Sequence, residues 1–362
     1  MGNILYGESV ATDAEYQENY ESVVYDSDSE SSYDMIVYGA YGFTGKIATE
    51  YIFSEYSKTT KVAISGRNLK KLQELNNTFG KAFDILLCNS EKYDDCKELV
   101  NRLNPAGCVL NLAGPYSKGS GGSNLIQACV EGKRNYCDIS GEVDWCRQNI
   151  SNFHDRAKEA GVRIVQFCAH DSLFFSIVVQ KIAQKMKETY GEELETIELY
   201  DEIKSKPSKG TITTAMHIHK MRNKIQSKCG LDPLLYDGDH KYTTINNNVR
   251  KITPLRENKP HLASYLLPFF MANVNYSCVK RDNVFLKYGK DLEYREGLCF
   301  HSCVDVLWFY LNQLWMYILV YTGFYKNPTK KEMMDSYLDV VGVGRSKSQE
   351  ICACFSVTKD PG

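Results

Sequence analysis

A chain of 362 residues is longer than one ordinary hydrophobic core and suits two domains. Its 43 basic and 45 acidic side chains leave a net charge of −2, and no basic stripe interleaves with aromatics, so nucleic acid is excluded as an expected partner. Thirteen cysteines without a Cys-x-x-Cys pair read as small buried hydrophobes in a reducing, intracellular compartment; Cys299-x-His301-x-Cys303 and Cys352-x-Cys354 come nearest to ligand spacing, and no metal is expected.

Residues 1–33 are acidic, rich in Ser and Tyr, and lack Lys and Arg. They bury too little apolar surface to offset their ordering entropy and are expected to be a disordered acidic tail. Tyr20, Tyr25 and the run Asp26–Ser32 offer phosphorylation sites, against the plainer reading of solvated filler. No basic residue precedes Lys46, so no secretory leader is expected, and Tyr6 stands where a myristoylation pattern needs Ser or Thr.

The next stretch, Met35-Ile-Val-Tyr-Gly39-Ala-Tyr41-Gly42-Phe43-Thr44-Gly45-Lys46, reads as a buried strand, three glycines at a spacing of three, and a helix from Ile47. A strand turning tightly into a helix aims free N–H groups and the positive end of the helix dipole at one spot, which suits a pyrophosphate. Gly39 makes the turn, Gly42 admits the phosphates, Gly45 lets helix and strand pack, and Tyr41, Phe43 and Thr44 share the site. A nucleoside-triphosphatase loop is ruled out, because Ala40 and Ile47 stand where that motif needs Gly and Ser or Thr. A structural Gly-rich turn without ligand is the remaining alternative. The second strand, Lys61-Val-Ala-Ile-Ser-Gly66, ends on Arg67 where an NAD site carries Asp or Glu. A guanidinium there pairs with a 2′-phosphate, so NADP(H) is expected over NAD(H).

From Met35 to Cys168 short apolar runs alternate with helical patterns, as in a doubly wound parallel sheet. Ligands of such sheets lie beyond the carboxyl ends of the strands. Three further strand ends are therefore candidates: Asn111-Leu-Ala-Gly114-Pro115-Tyr116, Asp138-Ile-Ser140-Gly-Glu142 and Cys168-Ala-His170-Asp171-Ser172. Gly114 and Pro115 are assigned to the cofactor, and Ser140, Glu142 and Asp171 to the substrate. Tyr116, Asp138 and His170 are the candidate proton donors. Each also has a plain alternative: Tyr116 packs, Asp138 and Ser140 satisfy turn amides, Glu142 complements a helix N-terminus, and Asp171 or Ser172 caps the helix expected over Leu173–Lys187.

Gly39-Ala-Tyr-Gly-Phe-Thr-Gly45, Ser65-Gly-Arg67, Leu110-Asn-Leu-Ala-Gly-Pro-Tyr116, Asp138-Ile-Ser-Gly-Glu142 and His170-Asp-Ser172 follow the order and spacing of saccharopine dehydrogenase-like oxidoreductases, which the chain resembles over about 35–358. The resemblance implies a Rossmann domain over 34–172 and a second α+β mixed-sheet domain over 173–362. It also implies an NADP-dependent reductase akin to the trans-acting enoyl reductases of complex-lipid and glycolipid assembly. Relatives in animals are associated with lipid droplets and other membranes. The chain departs from that pattern at His170 and Phe174, where the family carries Phe and Pro, which alters the pocket wall. The family also continues past the point matching Asp360-Pro-Gly362, so the C-terminal end is expected to be truncated.

In the second half, Leu194–Ile203 alternates as a strand, Thr213–Ile225 reads as a helix, and residues 228–262 read as a surface excursion. Asn283–Leu286, Met333–Val341 and Ile351–Val357 are expected to complete the sheet. A hydrophobic helix over about 304–324 has the length of a membrane span but is interrupted by Asp305, Asn312 and Gln313 on one face. With Trp308, Trp315 and the nearby Lys326, Lys330 and Lys331 it suits a helix lying on a membrane or lipid-droplet surface; a core helix and a true span are the alternatives. The expectation is an NADP(H)-dependent reductase of a lipid-like carbonyl or enoyl substrate, cytoplasmic and membrane- or droplet-associated. Its rivals are a catalytically silent nucleotide-binding module on such a surface and a structural protein with no nucleotide. The oligomeric state is left open.

Overall fold

The computed structural model of the chain describes residues 32–222, 241–254 and 264–358. The apolar runs of the first half become parallel strands: β1 Tyr33–Tyr38, β2 Val62–Gly66, β3 Asp84–Leu87, β4 Leu103–Asn111, β5 Asn135–Asp138 and β6 Ile164–Val165. Between them lie α1 Phe43–Tyr56, α2 Leu69–Thr78, α3 Tyr93–Asn101, α4 Gly121–Glu131 and α5 Val143–Ala160. The sheet order is β3-β2-β1-β4-β5-β6. Strand order therefore reverses between β1 and β4, where a doubly wound sheet opens its crevice.

Successive side chains of a strand point to opposite faces, and β1 shows why both faces are covered. Ile36 and Tyr38 enter one core with Leu99 of α3, Leu125 of α4 and Trp145 of α5. Val37 enters the other with Ile52 of α1 and Leu72 of α2. The observed class is α/β, a Rossmann-type parallel sheet followed by a second, mixed sheet.

The second unit begins at Ala169 and takes in the rest of the chain, except that Thr213–Met221 packs with the first unit. Its elements are α6 His170–Tyr190, β7 Thr196–Lys204, α7 Lys209–Arg222, β8 Thr244–Asn246, β9 Thr253–Pro254, β10 Tyr265–Leu267, α8 Ala272–Leu286, β11 Leu292–Phe300, α9 Cys303–Tyr321, α10 Lys330–Met334, β12 Tyr337–Arg345 and β13 Glu350–Thr358. The sheet runs β13-β12-β7-β11-β10-β9, with β8 also on β11. The pairs β7–β11 and β8–β11 are parallel and the others antiparallel. Phe175, Val178 and Ile182 of α6 and Val279 of α8 cover its core face, formed by Ile197, Leu199, Tyr294 and Val340.

Several expectations change. Tyr33, assigned to the tail, is the buried first residue of β1, and its hydroxyl donates to Asp84 at 2.9 Å. The rest of the tail to residue 31, with Tyr20 and Tyr25, lies outside the described residues. Asn283–Leu286 is the end of α8, not a strand: the Asn283 amide bridges Thr243 O, Gly289 O and Gly289 N, a local tie that ends a helix. The described part of the 228–262 excursion, residues 241–254, supplies β8 and β9 to the sheet. The helix expected from Leu173 opens at His170, with Ala169 as its N-cap, so neither Asp171 nor Ser172 caps it.

Two carboxylates, Asp201 of β7 and Glu296 of β11, are fully buried on the core face. Glu296 accepts from Tyr294 Oη at 2.6 Å and from Asn275 Nδ2 at 2.8 Å. Desolvation pushes Glu296 up to about 7 and holds Asp201 well above the usual carboxylate range. A folded-state value above the unfolded one means the native protein keeps a proton that the unfolded chain releases. The stabilisation is complete below the unfolded value, near 4, and is lost as pH rises through about 7. The unfolding free energy is therefore expected to fall by on the order of a few kcal/mol between pH 5 and pH 8, lowering the thermal midpoint, and Glu296→Gln is expected to flatten that slope. A midpoint independent of pH across this window in the wild type would contradict it.

Candidate dinucleotide site

The junction of β1 and α1 is built by backbone contacts that only glycine permits. Gly39 has φ +81°, a left-handed conformation, and its N–H donates to Ser65 O at 2.9 Å, tying the turn to the end of β2. Gly42 N closes the turn onto Gly39 O at 3.0 Å. A Cβ on Gly45 would stand 2.2 Å from Gly39 O and 2.7 Å from Ala40 O, so the first turn of α1 rests directly on the loop carbonyls. Gly42 is the N-cap of α1 and no side chain caps the helix. The N–H groups of the first turn have no partner within an α-helix by construction, and here they face an uncapped end.

The end of β2 lies beside this loop. The Tyr41 ring lies against Gly66, 2.7 Å from where a Cβ would stand. Arg67 follows, exposed, with no described ion-pair partner, and Asn68 caps α2 by accepting from Lys71 N at 2.9 Å. That cap turns Lys71, four residues after Arg67, back toward the loop, with its Nζ 5.7 Å from the Tyr41 ring centre. Sequence reading missed Lys71; its signal is the one-helical-turn spacing from Arg67.

At the end of β4, Ala113 and Gly114 are exposed, and a Cβ on Gly39 would stand 2.9 Å from that of Ala113. The two loops at the point of strand reversal therefore touch. The Gly114–Pro115 peptide is cis. The buried carboxylate of Glu142, at the N-cap of α5, accepts from Tyr116 N at 2.7 Å and from Ser117 N at 2.9 Å. Both of its oxygens hold this loop in place, a role other than the substrate contact expected of it.

Tyr116 is buried, stacked on Trp145 at 5.4 Å, and its hydroxyl donates to Asn111 O at 2.9 Å and accepts from Ile139 N at 3.4 Å. Burial holds its phenol well above the ordinary value, so the proton stays on the oxygen and points into the protein. In this arrangement Tyr116 is a pillar under the loop rather than a donor at its surface. Asp138 is fully buried too: Oδ1 accepts from Ser140 N at 2.9 Å and Oδ2 from Tyr136 Oη at 3.0 Å, and Tyr136 Oη accepts from Asn111 Nδ2 at 3.0 Å. Desolvation pushes Asp138 up to about 6 against these hydrogen bonds. Ser140 is buried, its hydroxyl 3.4 Å from Cys146 Sγ.

One side chain that no sequence reading singled out joins the loop. His217, on the part of α7 that packs with the first unit, places Nε2 at 3.1 Å from Ser117 Oγ. Thr214 Oγ1, one turn earlier, lies 3.7 Å from where a Gly114 Cβ would stand. A pairing between residues 100 positions apart leaves no local signal. The first unit thus assembles Tyr116, Asp138, Ser140, Glu142 and His217. His170 and Asp171 belong to the second unit, where the His170 ring stacks on Phe174 at 5.9 Å and its buried Nε2 has no described hydrogen-bond partner. Among the described residues no three His, Cys, Asp or Glu side chains converge to hold a metal ion.

Fold and loop geometry define the first unit as a Rossmann dinucleotide-binding domain. Residues 35–165 match the saccharopine dehydrogenase NADP binding domain family. A trans-acting enoyl reductase of Mycobacterium bovis is 29% identical over 153 residues, 41% of this chain and 35% of that protein. A Mycobacterium tuberculosis protein named for the same activity is 26% identical over 278 residues, 74% of this chain and 65% of its own length. The alignments thus span about a third to two thirds of these relatives. Among solved structures, homospermidine synthase of Legionella pneumophila in complex with NAD aligns over 90% of this chain and 78% of its own, with TM-score 0.45 and 10% identity. Saccharopine dehydrogenase of Saccharomyces cerevisiae aligns over 49% and 36%, with TM-score 0.36 and 12% identity.

Replacing Gly45 by Ala puts a methyl group into two carbonyl oxygens. The expected result is a loss of about 2 kcal/mol or more of stability, with weaker nucleotide binding, read by thermal unfolding and cofactor fluorescence. An unperturbed variant would show that α1 does not rest on this loop.

Proposed function

We propose that the chain is an NADP(H)-dependent oxidoreductase acting on a lipid-like carbonyl or enoyl substrate. The observation that carries the reading is the uncapped α1 N-terminus, lying beside an exposed Arg67 and a Lys71 turned toward Tyr41. The backbone amides of Phe43, Thr44 and Gly45 would hold the pyrophosphate, with Arg67 and Lys71 on the 2′-phosphate and the Ala113–Pro115 loop along the cofactor. When bound, the cofactor supplies the hydride; the protein has to orient it and deliver a proton. The Tyr116 hydroxyl is committed to a buried hydrogen bond and the Asp138 carboxylate accepts from Tyr136 and Ser140, so proton delivery is assigned to His217 through the Ser117 hydroxyl. The enoyl-reductase names of the relatives support the substrate class.

Removing the Arg67 guanidinium by Arg67→Ala is expected to weaken NADPH binding roughly tenfold to a hundredfold while leaving NADH nearly unchanged. Equal losses for both nucleotides would remove the 2′-phosphate assignment. In the same preparation, NADPH consumption is followed across enoyl thioesters and lipid aldehydes. His217→Gln is expected to lower turnover without changing NADPH affinity. NADPH binding without consumption of any of these substrates would favour the catalytically silent module instead.

Helix α9 supports placing the protein at a lipid surface. It is the one described helix long and apolar enough to cross a membrane, and little of it is buried. Counting 100° per residue, Val306, Phe309 and Met316 share the side that packs on the second unit's core. Asp305, Asn312 and Gln313 fall toward that same side, not on a stripe opposite it as the interfacial-helix expectation required. Leu307, Leu311, Leu314, Trp315 and Ile318 form the outward face, exposed and free of charge. An uncharged face of this extent suits insertion into lipid. Leu311→Glu with Trp315→Glu is expected to reduce co-flotation with phospholipid vesicles or droplets roughly a thousandfold, since each side chain contributes about 2 kcal/mol of burial. Undiminished flotation would assign this face to another partner.

A further inference from the structure

We propose that the basic cleft on the second unit's sheet is a binding site for a phosphomonoester, independent of the dinucleotide loop. The cleft encloses about 600 Å³ and lies wholly in the second unit, with none of the glycine-loop residues in its walls. Its floor follows from strand register. Thr196 of β7 pairs with Glu293 of β11 and Arg345 of β12, and Glu198 pairs with Arg295 of β11. Residues two apart on a strand share a face, so Glu198, Glu293, Arg295 and Arg345 stand together, opposite the face where Ile197 and Leu199 enter the core. The segment Asn247–Lys251 runs beside β11, Asn247 N donating to Tyr294 O at 2.8 Å and Val249 N to Glu296 O at 3.2 Å, and adds Arg250 and Lys251 to the cleft.

The charges do not balance. Arg250, Lys251, Arg295 and Arg345 face two lining carboxylates, Glu198 and Glu293. The Glu198 side chain, only 17% exposed, accepts from Arg345 NH1 at 2.6 Å and lies 3.5 Å from Arg295 NH1. One carboxylate neutralises one guanidinium while ordering both side by side. Arg345 Nε reaches out to Glu350 at 2.6 Å at the rim, and Glu293 is hydrogen-bonded by Asn247 Nδ2 at 3.1 Å. Arg250 and Lys251 are exposed and have no ion-pair partner among the described residues. Paired, pre-ordered guanidinium forks beside two exposed cations suit a compact dianion with several acceptor oxygens, as a phosphomonoester is. The source of that group is either a soluble phosphorylated metabolite or a phospholipid headgroup.

The test uses the full chain saturated with NADP, so that phosphate cannot register at the glycine loop. Glycerol 3-phosphate is titrated by calorimetry, and vesicles of phosphatidylcholine with and without phosphatidic acid are tested by co-flotation. Arg250→Gln with Lys251→Gln removes two exposed charges without touching the ion pairs that support the sheet. This variant is expected to weaken binding roughly tenfold and to make it less sensitive to salt, while Arg67→Ala leaves it unchanged. Binding confined to glycerol 3-phosphate identifies a soluble ligand, and binding confined to phosphatidic acid vesicles identifies a headgroup. The proposal is overturned if neither probe binds, if the double variant binds as the wild type does, or if Arg67→Ala abolishes binding.

Discussion

The contact on which the first unit depends is that between the carbonyl of Gly39 and the backbone of Gly45. With no Cβ at residue 45, α1 settles onto the loop, and its first-turn N–H groups face the end of the sheet instead of a protein acceptor. The same turn brings Gly39 against Ala113, which joins the two strand ends at the reversal point. A helix set even one atom further out would separate the first-turn amides from the β4 loop.

Around that contact the buried polar groups act as fixtures. Glu142 spends both oxygens on the amides of Tyr116 and Ser117, and the Tyr116 hydroxyl returns to Asn111 and Ile139. Asp138 is held by Ser140 and Tyr136. These side chains come from the strand ends where chemistry is sought, yet their hydrogen-bonding capacity is directed inward. What they hold in place is the exposed backbone of Ala113 and Gly114, with His217 reaching the loop at Ser117. Rigid support beneath an adaptable surface is what a dinucleotide loop requires.

The second unit divides its labour by face. Helices α6 and α8 cover one side of its sheet, and two buried acids sit in that layer with desolvated, raised affinities for protons. The other side carries the row of paired arginines and glutamates. Helix α9 contributes Val306 and Phe309 to the core and leaves its remaining apolar surface uncovered. The exposed apolar face of α9 and the net-positive cleft are the two features of this unit on which the proposals of lipid contact and phosphate binding rest.

Much of this was legible in the sequence, for a physical reason. The glycine spacing, the apolar runs of four to six residues and the helical periodicity between them are local properties, and together they determined the parallel sheet, its strand ends and the nucleotide loop. The place of Arg67 at the end of β2 was legible because it is counted from the loop along one strand; its pairing with a 2′-phosphate is part of the proposal. What the tertiary structure alone decided was which polar groups are already engaged: Tyr116, Glu142 and Asp138 sit at the right strand ends, but only packing shows their atoms turned inward. His217 and the cleft were illegible because their partners lie far apart in the chain, His217 reaching back to Ser117 and Arg345 to Glu198. The short apolar run Asn283–Leu286 carries no period of its own, so the Asn283 amide, by closing α8 against Gly289, settled its state as helix.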